Sequence, residues 1–469
     1  MGQDFWNLIN EYRQIGFEPL RFLGNLNQIN SKLFFSQYDL KKTNIKITPK
    51  WYDFFHKNEG KSIEVTRRIY PDLINPKSHI EIDSKKACVI FNISENLSDL
   101  DKITGIDIVQ NFLNDFPTKC AVNRIITNKA NENNQFVLMD FIKSQRGTKV
   151  GYNCINNFIL NITDIRQPLD SEIHSNINFT GALENLLLLG CTSEFQLFPA
   201  YDAPNEDTLD TMRKNFDNFA LKYNLVVVDF SSLKKGRWFY ASTATAKTDN
   251  ELPLKYDELT EDMEIILSDK FGTLLPIHMF YFSKIDDQNI SILEKNGIEY
   301  NDLCQLNDKV FNKMNEPKFS FGKIISKYCP KYGNNFSKTS NIYAVFPVME
   351  SGIYAMKELA EYTNSEIIIN KIPIKYEELR RFAINEFIVE NTTSSINGCH
   401  FIIAHKDVTN LILEDLKKIN LEPQIIGKIG KRGEPKITLV NENINDYTLS
   451  KNKLRIFRAN KVIADKQDH

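Results

Sequence analysis

The sequence predicts an α+β protein made of α/β layers and divided into more than one domain. Two stretches with helical apolar spacing, 179–191 and 207–223, precede apolar runs with strand character at 225–230 and 239–246. Helices that alternate with strands favour packed layers over an all-helical bundle. The chain has 469 residues, which is long for one domain, so two or three domains are expected.

The composition restricts the possible partners. The chain carries 58 Lys and Arg residues against 60 Asp and Glu residues, a formal net charge of −2. Binding along a nucleic-acid backbone needs a basic surface, so no nucleic-acid partner is expected. No apolar run reaches the roughly 18–20 residues that cross a bilayer, so no membrane partner is expected. The seven cysteines never form Cys-x-x-Cys, which predicts reduced thiols in a cytoplasmic protein.

The first part of the chain gives the fewest signals. Apolar residues near the N-terminus recur at helical spacing and predict one amphipathic helix. Residues 87–93 are rich in β-branched and apolar side chains and predict a strand. The Asn-rich run 128–135 has no pattern and indicates a loop or a boundary.

The stretch 341–440 has the clearest pattern, in which short strands alternate with helices and small-residue loops. The predicted elements are strands at 342–346, 365–371 and 399–404, helices at 355–361 and 407–419, a polar loop at 391–398 and a hairpin over 425–437. Upstream of it, the sequence predicts a strand that enters a glycine turn at 264–275, a helical region with polar breaks at 285–314, and a loop at 315–340.

Four segments of the second half occur in a characteristic order: 267–274, 347–361, 391–398 and 425–437. They contain Leu-Ser-Asp-Lys-Phe-Gly-Thr-Leu, a Glu-Ser-Gly turn before a helix, Asn-Thr-Thr-Ser-Ser-Ile-Asn-Gly, and Ile-Gly-Lys-Ile-Gly. Together they resemble the family that includes selenophosphate synthetase, aminoimidazole ribonucleotide synthetase and the ATP-dependent hydrogenase-maturation dehydratase. The family's motifs at these places are Leu-Gly-Thr, Asp-x-Thr-x-Gly, Asp-Pro-x-Thr-Ser-Gly-Gly and Ile-Gly-x-Val.

The first half can be fitted to the same family. Residues 162–169 resemble its Thr-Thr-Asp strand end, and 182–190 resemble the helix that carries Asn-Ala-x-Ser-Asp in selenophosphate synthetase. The likeness extends over residues 136–445. It implies a two-domain PurM-like architecture and leaves residues 1–130 as an extra N-terminal region, an extension of unassigned function.

The resemblance also implies how the parts work together. Residues 131–255 would be the N-terminal domain, which pairs across a homodimer to form a β-barrel. Residues 256–449 would be the C-terminal α/β domain, and 450–469 a tail. In this family ATP lies between the domains, and Mg²⁺ bridges its phosphates to carboxylates. The implied activity is an ATP-binding, Mg²⁺-dependent phosphotransferase, closest to selenophosphate synthetase, with selenide or a similar small molecule as acceptor.

Three residues fall where the resemblance implies metal ligands: Asp164, Asn185 and Glu350. Mg²⁺ prefers hard oxygen ligands such as carboxylates. Asp164 could instead cap a turn, and Glu350 could be a solvated turn residue. Asn185 stands where the family has a carboxylate and brings no charge, and another pair of family acids falls on Tyr152 and Asn153.

A larger set is predicted to contact ATP, because cations, backbone amides and small hydroxyl groups suit phosphates. The residues are Lys143, Arg146, Lys149, Lys270, Gly272, Thr273, Ser394, Ser395, Asn397 and Gly398. The basic residues between 143 and 149 could instead form a solvated loop. The loop 392–398 could equally be a surface turn that bonds to itself.

The missing acids support a second hypothesis, a non-catalytic PurM-like binding or partner module. A third is an α/β protein that matches the family by chance. Catalytic residues stay unassigned, because the family's loop with a catalytic Cys and Lys has no clear counterpart. The sequence also has no Walker, Gly-x-Ser-x-Gly or Rossmann fingerprint.

Overall fold

A computed structural model describes most residues between 164 and 448 and five strands that precede them. The described residues are 78–83, 88–93, 124–127, 135–139, 152–159, 164, 166–227, 239–285, 288–331, 333–389, 391–433 and 435–448. No helix among them is long and apolar enough to cross a membrane.

The described elements are strands and helices in mixed order. The strands are β1 Ser78–Asp83, β2 Cys88–Ile93, β3 Arg124–Thr127, β4 Gln135–Met139, β5 Tyr152–Ile159, β6 Ser193–Asp202, β7 Val226–Val227, β8 Phe239–Thr248, β9 Met263–Leu267, β10 Ile342–Pro347, β11 Ser365–Ile369, β12 His400–His405, β13 Gln424–Arg432 and β14 Lys436–Leu439. The α-helices are α1 Glu172–Leu187, α2 Glu206–Tyr223, α3 Leu275–Ile285, α4 Gln288–Lys295, α5 Tyr300–Met314, α6 Phe319–Lys327, α7 Ala355–Thr363, α8 Glu377–Asn385 and α9 Lys406–Lys418.

The first sheet has the strand order β1-β2-β4-β3-β5-β8-β6-β7. Its pairs are antiparallel, apart from the parallel pair of β6 and β7. Strands β1 to β3 precede residue 131 and are hydrogen-bonded into the same sheet as β5 and β8. Part of the predicted N-terminal extension therefore belongs to this sheet. The domain limits at 130, 255 and 449 remain a prediction.

Helix α1 lies on this sheet and is buried around almost its whole circumference. It packs on β5 and β8, on α2, and on α5 and α6. The Phe179 ring lies 4.5 Å from the Phe216 ring of α2. The helix begins at Glu172, earlier than the apolar spacing predicts, because polar residues of its first turns, such as His174 and Asn178, are buried as well. A helix with neighbours on every side lacks a polar face that would mark its limits.

The second sheet has the order β10-β12-β9-β13-β11-β14. Its central strand β9 is antiparallel to both neighbours, with Leu267 opposite Phe401 of β12 and Gln424 of β13. The segments that follow β9, precede β12 and precede β13 consequently meet at one edge of the sheet. Helix α7 packs on β11, α9 on β9 and β12, and α3 on α5 and α8. The protein is thus a mixed α/β structure with helices layered on sheets.

The hairpin predicted over 425–437 is wrong. Strand β11 lies between β13 and β14 and pairs with both of them, antiparallel with β13 and parallel with β14. The connection passes the end of β11, where the N–H of Gly433 donates to the carbonyl of Asn364 at 2.8 Å. The turn signal at Gly433 is real, but the partner of each strand is a distant segment that local sequence does not reveal.

The prediction of a loop over 315–340 is wrong for its first half, which contains α6. Phe321 and Ile325 of this helix are buried. Gly322, which suggested a loop, is where α6 approaches α1, because an added Cβ would lie 3.0 Å from the Leu187 side chain and 3.1 Å from the carbonyl oxygen of Cys191. The glycine here permits close helix packing.

The other elements predicted between 342 and 419 are confirmed within one or two residues. They are the strands Ile342–Pro347, Ser365–Ile369 and His400–His405 and the helices Ala355–Thr363 and Lys406–Lys418. The helical region predicted over 285–314 contains α4 and α5, while α3 fills an apolar stretch for which no helix was predicted.

Candidate functional site

Two of the sequence motifs lie directly against each other: the loop that follows β9 and the polar loop that precedes β12. The N–H of Leu274 donates to the carbonyl of Ser394 at 3.2 Å. The N–H of Ile396 donates to the Thr273 hydroxyl at 2.9 Å. These bonds join residues more than a hundred positions apart, so they fix the geometry of both loops at once.

A third motif, the 3₁₀ turn that follows β10, completes this junction. The N–H of Ile353 donates to the Thr393 hydroxyl at 2.8 Å, and the N–H of Ser395 donates to the carbonyl of Met349 at 2.8 Å. Gly352 has φ +56°, and an added Cβ would lie 2.4 Å from the Thr393 hydroxyl oxygen. Only glycine allows this backbone conformation and this approach together.

The hydroxyl groups of the polar loop are buried and already bonded. The Ser394 hydroxyl donates to the carbonyl of Asn391 at 3.1 Å, and the Ser395 hydroxyl donates to the carbonyl of Thr393 at 3.2 Å. The loop therefore bonds to itself, as its alternative interpretation proposed, although it is buried and not on the surface. The contacts of Ser394 and Ser395 with ATP remain a prediction. Each hydroxyl would have to exchange its present hydrogen bond for one to ATP.

The end of this loop has a side-chain donor that could bind a ligand. The side-chain amide nitrogen of Asn397 is buried and has no hydrogen-bond partner among the described residues, and the residue is only 8% exposed. Gly398 has φ +96°, and a Cβ added there would meet nothing within 4 Å. A buried donor without a partner beside open space marks a place where a polar ligand atom would be favourable.

A group of charged residues surrounds the end of β9 next to this loop. Lys270 and Lys375 both contact the Glu422 carboxylate, with N···O distances of 2.6 and 2.9 Å. Lys375 also lies 3.4 Å from the Asp269 carboxylate. The hydrogen bonds from Lys270 and Lys375 lower the pKa of Glu422 to about 2. Sequence reasoning identified Lys270 but missed its partners, which come from other loops.

The predicted metal ligand Asp164 is buried and held by a neighbour. Arg166 donates from Nε to one carboxylate oxygen at 2.8 Å and from Nη2 to the other at 2.7 Å. The N–H of Arg166 also donates to the first oxygen at 3.1 Å. The pKa of Arg166 is raised, and the hydrogen bond with Asp164 is the largest cause. Asp164 thus closes a turn, and an arginine neutralises it.

The arginine itself is fixed from its other side. Its Nη1 lies 2.7 Å from the carboxylate of Asp308 in α5. The guanidinium carbon lies 5.1 Å from the ring centre of Phe280 and 5.9 Å from that of Phe311. Stacking on aromatic faces adds favourable electrostatic contact. Arg166 therefore ties the segment before α1 to the helices of the second sheet.

The other two predicted metal ligands lie in separate elements. Asn185 is buried within α1, and Glu350 lies in the 3₁₀ turn after β10. The basic residues predicted at 143–149 lie outside the described residues. The described part of the chain holds no group of three or more His, Cys, Asp or Glu side chains arranged for a metal ion. With both of its oxygens bonded to Arg166, the Asp164 carboxylate as arranged here does not fit Mg²⁺.

A buried carboxylate and imidazole, both missed by sequence reasoning, link the two sheets. Nε2 of His400 lies 3.1 Å from Oε1 of Glu184, and both side chains are at most 1% exposed. The Phe321 ring stacks on the imidazole with 4.5 Å between ring centres. Glu184 comes from α1 and His400 from β12. The pair therefore couples the helix of the first sheet to the edge where the loops meet.

No protein-family model and no curated protein matches the sequence. Among solved structures, the chain is similar to thiamine-monophosphate kinase from Stenotrophomonas maltophilia K279a, with 13% identity, a TM-score of 0.43 and coverage of 68% of this chain and 92% of that chain. The thiamine monophosphate kinase from Aquifex aeolicus has 12% identity, a TM-score of 0.46 and coverage of 65% and 92%.

A third similar structure is the hydrogenase maturation protein HypE, with 11% identity, a TM-score of 0.40 and coverage of 63% of this chain and 87% of that chain. Kinase activity and a part in hydrogenase maturation are what these names say of those proteins.

Proposed function

We propose that the protein binds ATP and acts as a phosphotransferase-type enzyme of the PurM-like kind. The observation that supports this most strongly is the junction of three motifs, in which the loop after β9, the loop before β12 and the 3₁₀ turn after β10 are joined by hydrogen bonds. Thr273 and Ile396 are separated by 123 positions and still bond. Motifs that converge in this way are expected to build one site.

The charged groups beside this junction suit a phosphate ester. Bound ATP would supply the phosphoryl group, and its transfer depends mainly on positioning and electrostatic stabilisation. Lys270 and Lys375 would attract the phosphates. The side-chain amide of Asn397 would donate to an anionic oxygen. Because Asp164 is bonded to Arg166, we derive no step through Mg²⁺, and Mg²⁺ dependence stays a prediction.

A specific observation favours a second candidate, a PurM-like module that binds a nucleotide or a partner without catalysis. The guanidinium of Arg166 occupies both oxygens of Asp164, the best of the predicted metal ligands. Asn185 supplies no negative charge. A module of this kind would keep the architecture without a metal ion at Asp164.

Calorimetric titration with ATP, with and without Mg²⁺, tests both candidates when it is combined with an assay for released ADP and phosphate. Binding with turnover is the result expected for the enzyme, and binding without turnover for the module. ATP at roughly 100 times its Kd should raise the free energy of unfolding by about 2.7 kcal/mol. Neither binding nor stabilisation would reject both candidates. An affinity unchanged by Mg²⁺ would refute the predicted metal dependence.

The acceptor and the assembly are finer proposals. If ATP is turned over, we propose selenide or a related small nucleophile as the acceptor, and ATP consumption that is unchanged by added selenide would contradict this. We also propose a homodimer, as the PurM-like resemblance implies. Light scattering coupled to gel filtration should then give twice the mass of the chain, and the mass of a single chain would contradict the dimer.

A further inference from the structure

A row of polar side chains runs along one face of α1 and ends at the buried Glu184–His400 pair. Asn176, Thr180 and Glu184 follow one another at intervals of four residues, so they lie above one another on the helix. We propose that this polar row binds a file of water molecules, through which the buried pair exchanges a proton with solvent. The inference goes beyond the proposed function, since it involves neither ATP nor a phosphoryl group.

Each member of the polar row has a buried oxygen without a hydrogen-bond partner in the part of the chain that the structure describes. These atoms are Oδ1 of Asn176, the hydroxyl of Thr180 and both carboxylate oxygens of Glu184. Burying a polar atom without a partner is unfavourable. Three such side chains in succession therefore call for a shared partner that is not a side chain, and buried water commonly serves polar groups in this way.

The spacing of the polar row matches one water molecule between neighbours. Residues four apart on a helix are separated by about 6 Å along its axis, because each residue rises about 1.5 Å. Two hydrogen bonds of about 2.8 Å that meet at one water oxygen span nearly the same distance. A single bridging water therefore satisfies two neighbouring side chains that do not bond to each other directly.

The polar row leads from the surface into the interior. Asn176 is partly exposed, Thr180 is buried, and Glu184 and His400 are at most 1% exposed. The row therefore ends on the side of α1 that meets β12, where the carboxylate approaches the imidazole. A proton that enters beside Asn176 would move inward by one helical turn at each step.

The pair at the inner end needs such a path. Nε2 of His400 lies 3.1 Å from Oε1 of Glu184, but neither atom is aligned for a hydrogen bond, and Nδ1 and Oε2 have no partner among the described residues either. Within the same residues, the two groups form an ion pair only with each other. With no other ionisable neighbour at that distance, the pair can change its number of protons only by exchange with solvent.

The chemistry of the polar row fits this exchange. The Thr180 hydroxyl is both a donor and an acceptor, so it can accept a proton from one water and release its own proton to the next. The Asn176 oxygen orients the outermost water, and the Glu184–His400 pair receives the proton. Each O–H bond that breaks along the file is matched by an O–H or N–H bond that forms, so one proton moves and nothing is oxidised or reduced. Thr180 is therefore the relay whose loss should interrupt the file.

The experiment compares the wild-type chain with Thr180→Val, Thr180→Ser and Thr363→Val. Valine keeps the shape of threonine without the hydroxyl, whereas serine keeps the hydroxyl. Thr363 is the matched control, because it is also a buried helix residue, but its hydroxyl already donates to the carbonyl of Leu359 at 2.8 Å. The exchange of the His400 ring proton with water is measured by NMR on protein labelled with ¹⁵N-histidine. The His400 signal is assigned by its loss in His400→Gln.

We expect Thr180→Val to slow this proton exchange at least about tenfold, the equivalent of one lost hydrogen bond. Thr180→Ser should restore the wild-type rate, and Thr363→Val should leave that rate unchanged. Exchange as fast in Thr180→Val as in the wild type would overturn the inference, and so would equal slowing by Thr363→Val.

A crystal structure of the wild-type chain at atomic resolution keeps the test independent of any variant's folding. It should show one water bonded to both Asn176 and Thr180 and another bonded to both Thr180 and Glu184. A Thr180 hydroxyl without these waters would overturn the inference. Both measurements are made without nucleotide, so a failure of ATP to bind would reject the proposed function and leave this inference standing.

Discussion

Arg166 and Asp164 form a two-pronged ion pair, with Nε and Nη2 of the arginine donating at 2.8 and 2.7 Å to separate carboxylate oxygens. The planar guanidinium matches a carboxylate in this fork geometry. The two residues are only two positions apart, so the pair also closes a turn ahead of α1. A metal ion that used Asp164 would have to displace a cation that belongs to the chain.

Replacing Arg166 with methionine should destabilise the protein by about 3 kcal/mol, because it removes the cation that bonds to both oxygens of the buried Asp164 carboxylate. Urea unfolding followed by circular dichroism measures this difference. Arg213→Met is the matched control, because the Arg213–Asp210 pair is more than half exposed on both sides, and such pairs contribute below about 1 kcal/mol. Equal losses in the two variants would contradict the structural role of Arg166.

The same variant examines the predicted metal role of Asp164. If Asp164 can bind Mg²⁺, millimolar Mg²⁺ should stabilise Arg166→Met more than it stabilises the wild-type chain, because the competing guanidinium is gone. Thermal unfolding with and without Mg²⁺ gives the comparison. The same response to Mg²⁺ in both proteins would count against Asp164 as a metal ligand.

Gly352→Ala should be among the most damaging glycine substitutions in the second sheet. Both Gly352 and Gly297 have positive φ, so alanine is strained at either position. Gly352, with φ 56° and ψ −134°, also lies in a backbone region that is restricted almost entirely to glycine. Only Gly352 abuts another segment, since a Cβ would lie 2.4 Å from Thr393, whereas Gly297 has nothing within 4 Å. Overpacking should therefore add about 1–3 kcal/mol for Gly352→Ala. Urea unfolding of both variants measures the difference, and equal stabilities would refute the described junction.

Cys304 should be alkylated before Cys191, Cys329 and Cys399. It is partly exposed, whereas Cys191, Cys329 and Cys399 are buried. Burial raises the pKa of the Cys329 thiol to about 12, with a contribution from Glu251, and burial likewise raises the pKa of Cys399 well above its usual range. Thiolates are the reactive species. Timed iodoacetamide treatment with peptide mass spectrometry should show this order, and early labelling of Cys399 would show that the loop before β12 opens.

Glu422 should give the protein a small acid-dependent part of its stability. Lys270 and Lys375 lower its pKa from 4.5 to about 2, so its contribution is complete above pH 4.5 and disappears as the pH falls towards 2. The side chain is 46% exposed, so solvent screening should keep the effect below about 1 kcal/mol. Urea unfolding of wild type and Glu422→Gln from pH 7 to pH 3 should show a difference that shrinks below pH 4.5. A difference that does not vary with pH would contradict this ion-pair arrangement.

The sequence by itself determined the local elements of the second sheet. The strands and helices that were predicted between 342 and 419 are found within one or two residues, because the alternation of apolar residues and the helical spacing are recorded in consecutive positions. Helix α8, Glu377–Asn385, lies in the same range and was not predicted. The motif order also indicated that the loops after β9 and before β12 belong to one site. Neither inference required knowledge of the tertiary contacts between these elements.

Only the tertiary structure decided which strands, helices and charged side chains contact one another. β11 lies between β13 and β14, α6 approaches α1 at Gly322, and Lys375 and Glu422 come together from separate loops. Each of these contacts joins segments that are distant in sequence, so no local pattern encodes them. The state of Asp164 depends on Arg166, which Asp308 and two aromatic rings hold in place from another layer. Sequence identifies the groups able to do chemistry, and packing decides which charges remain available for it.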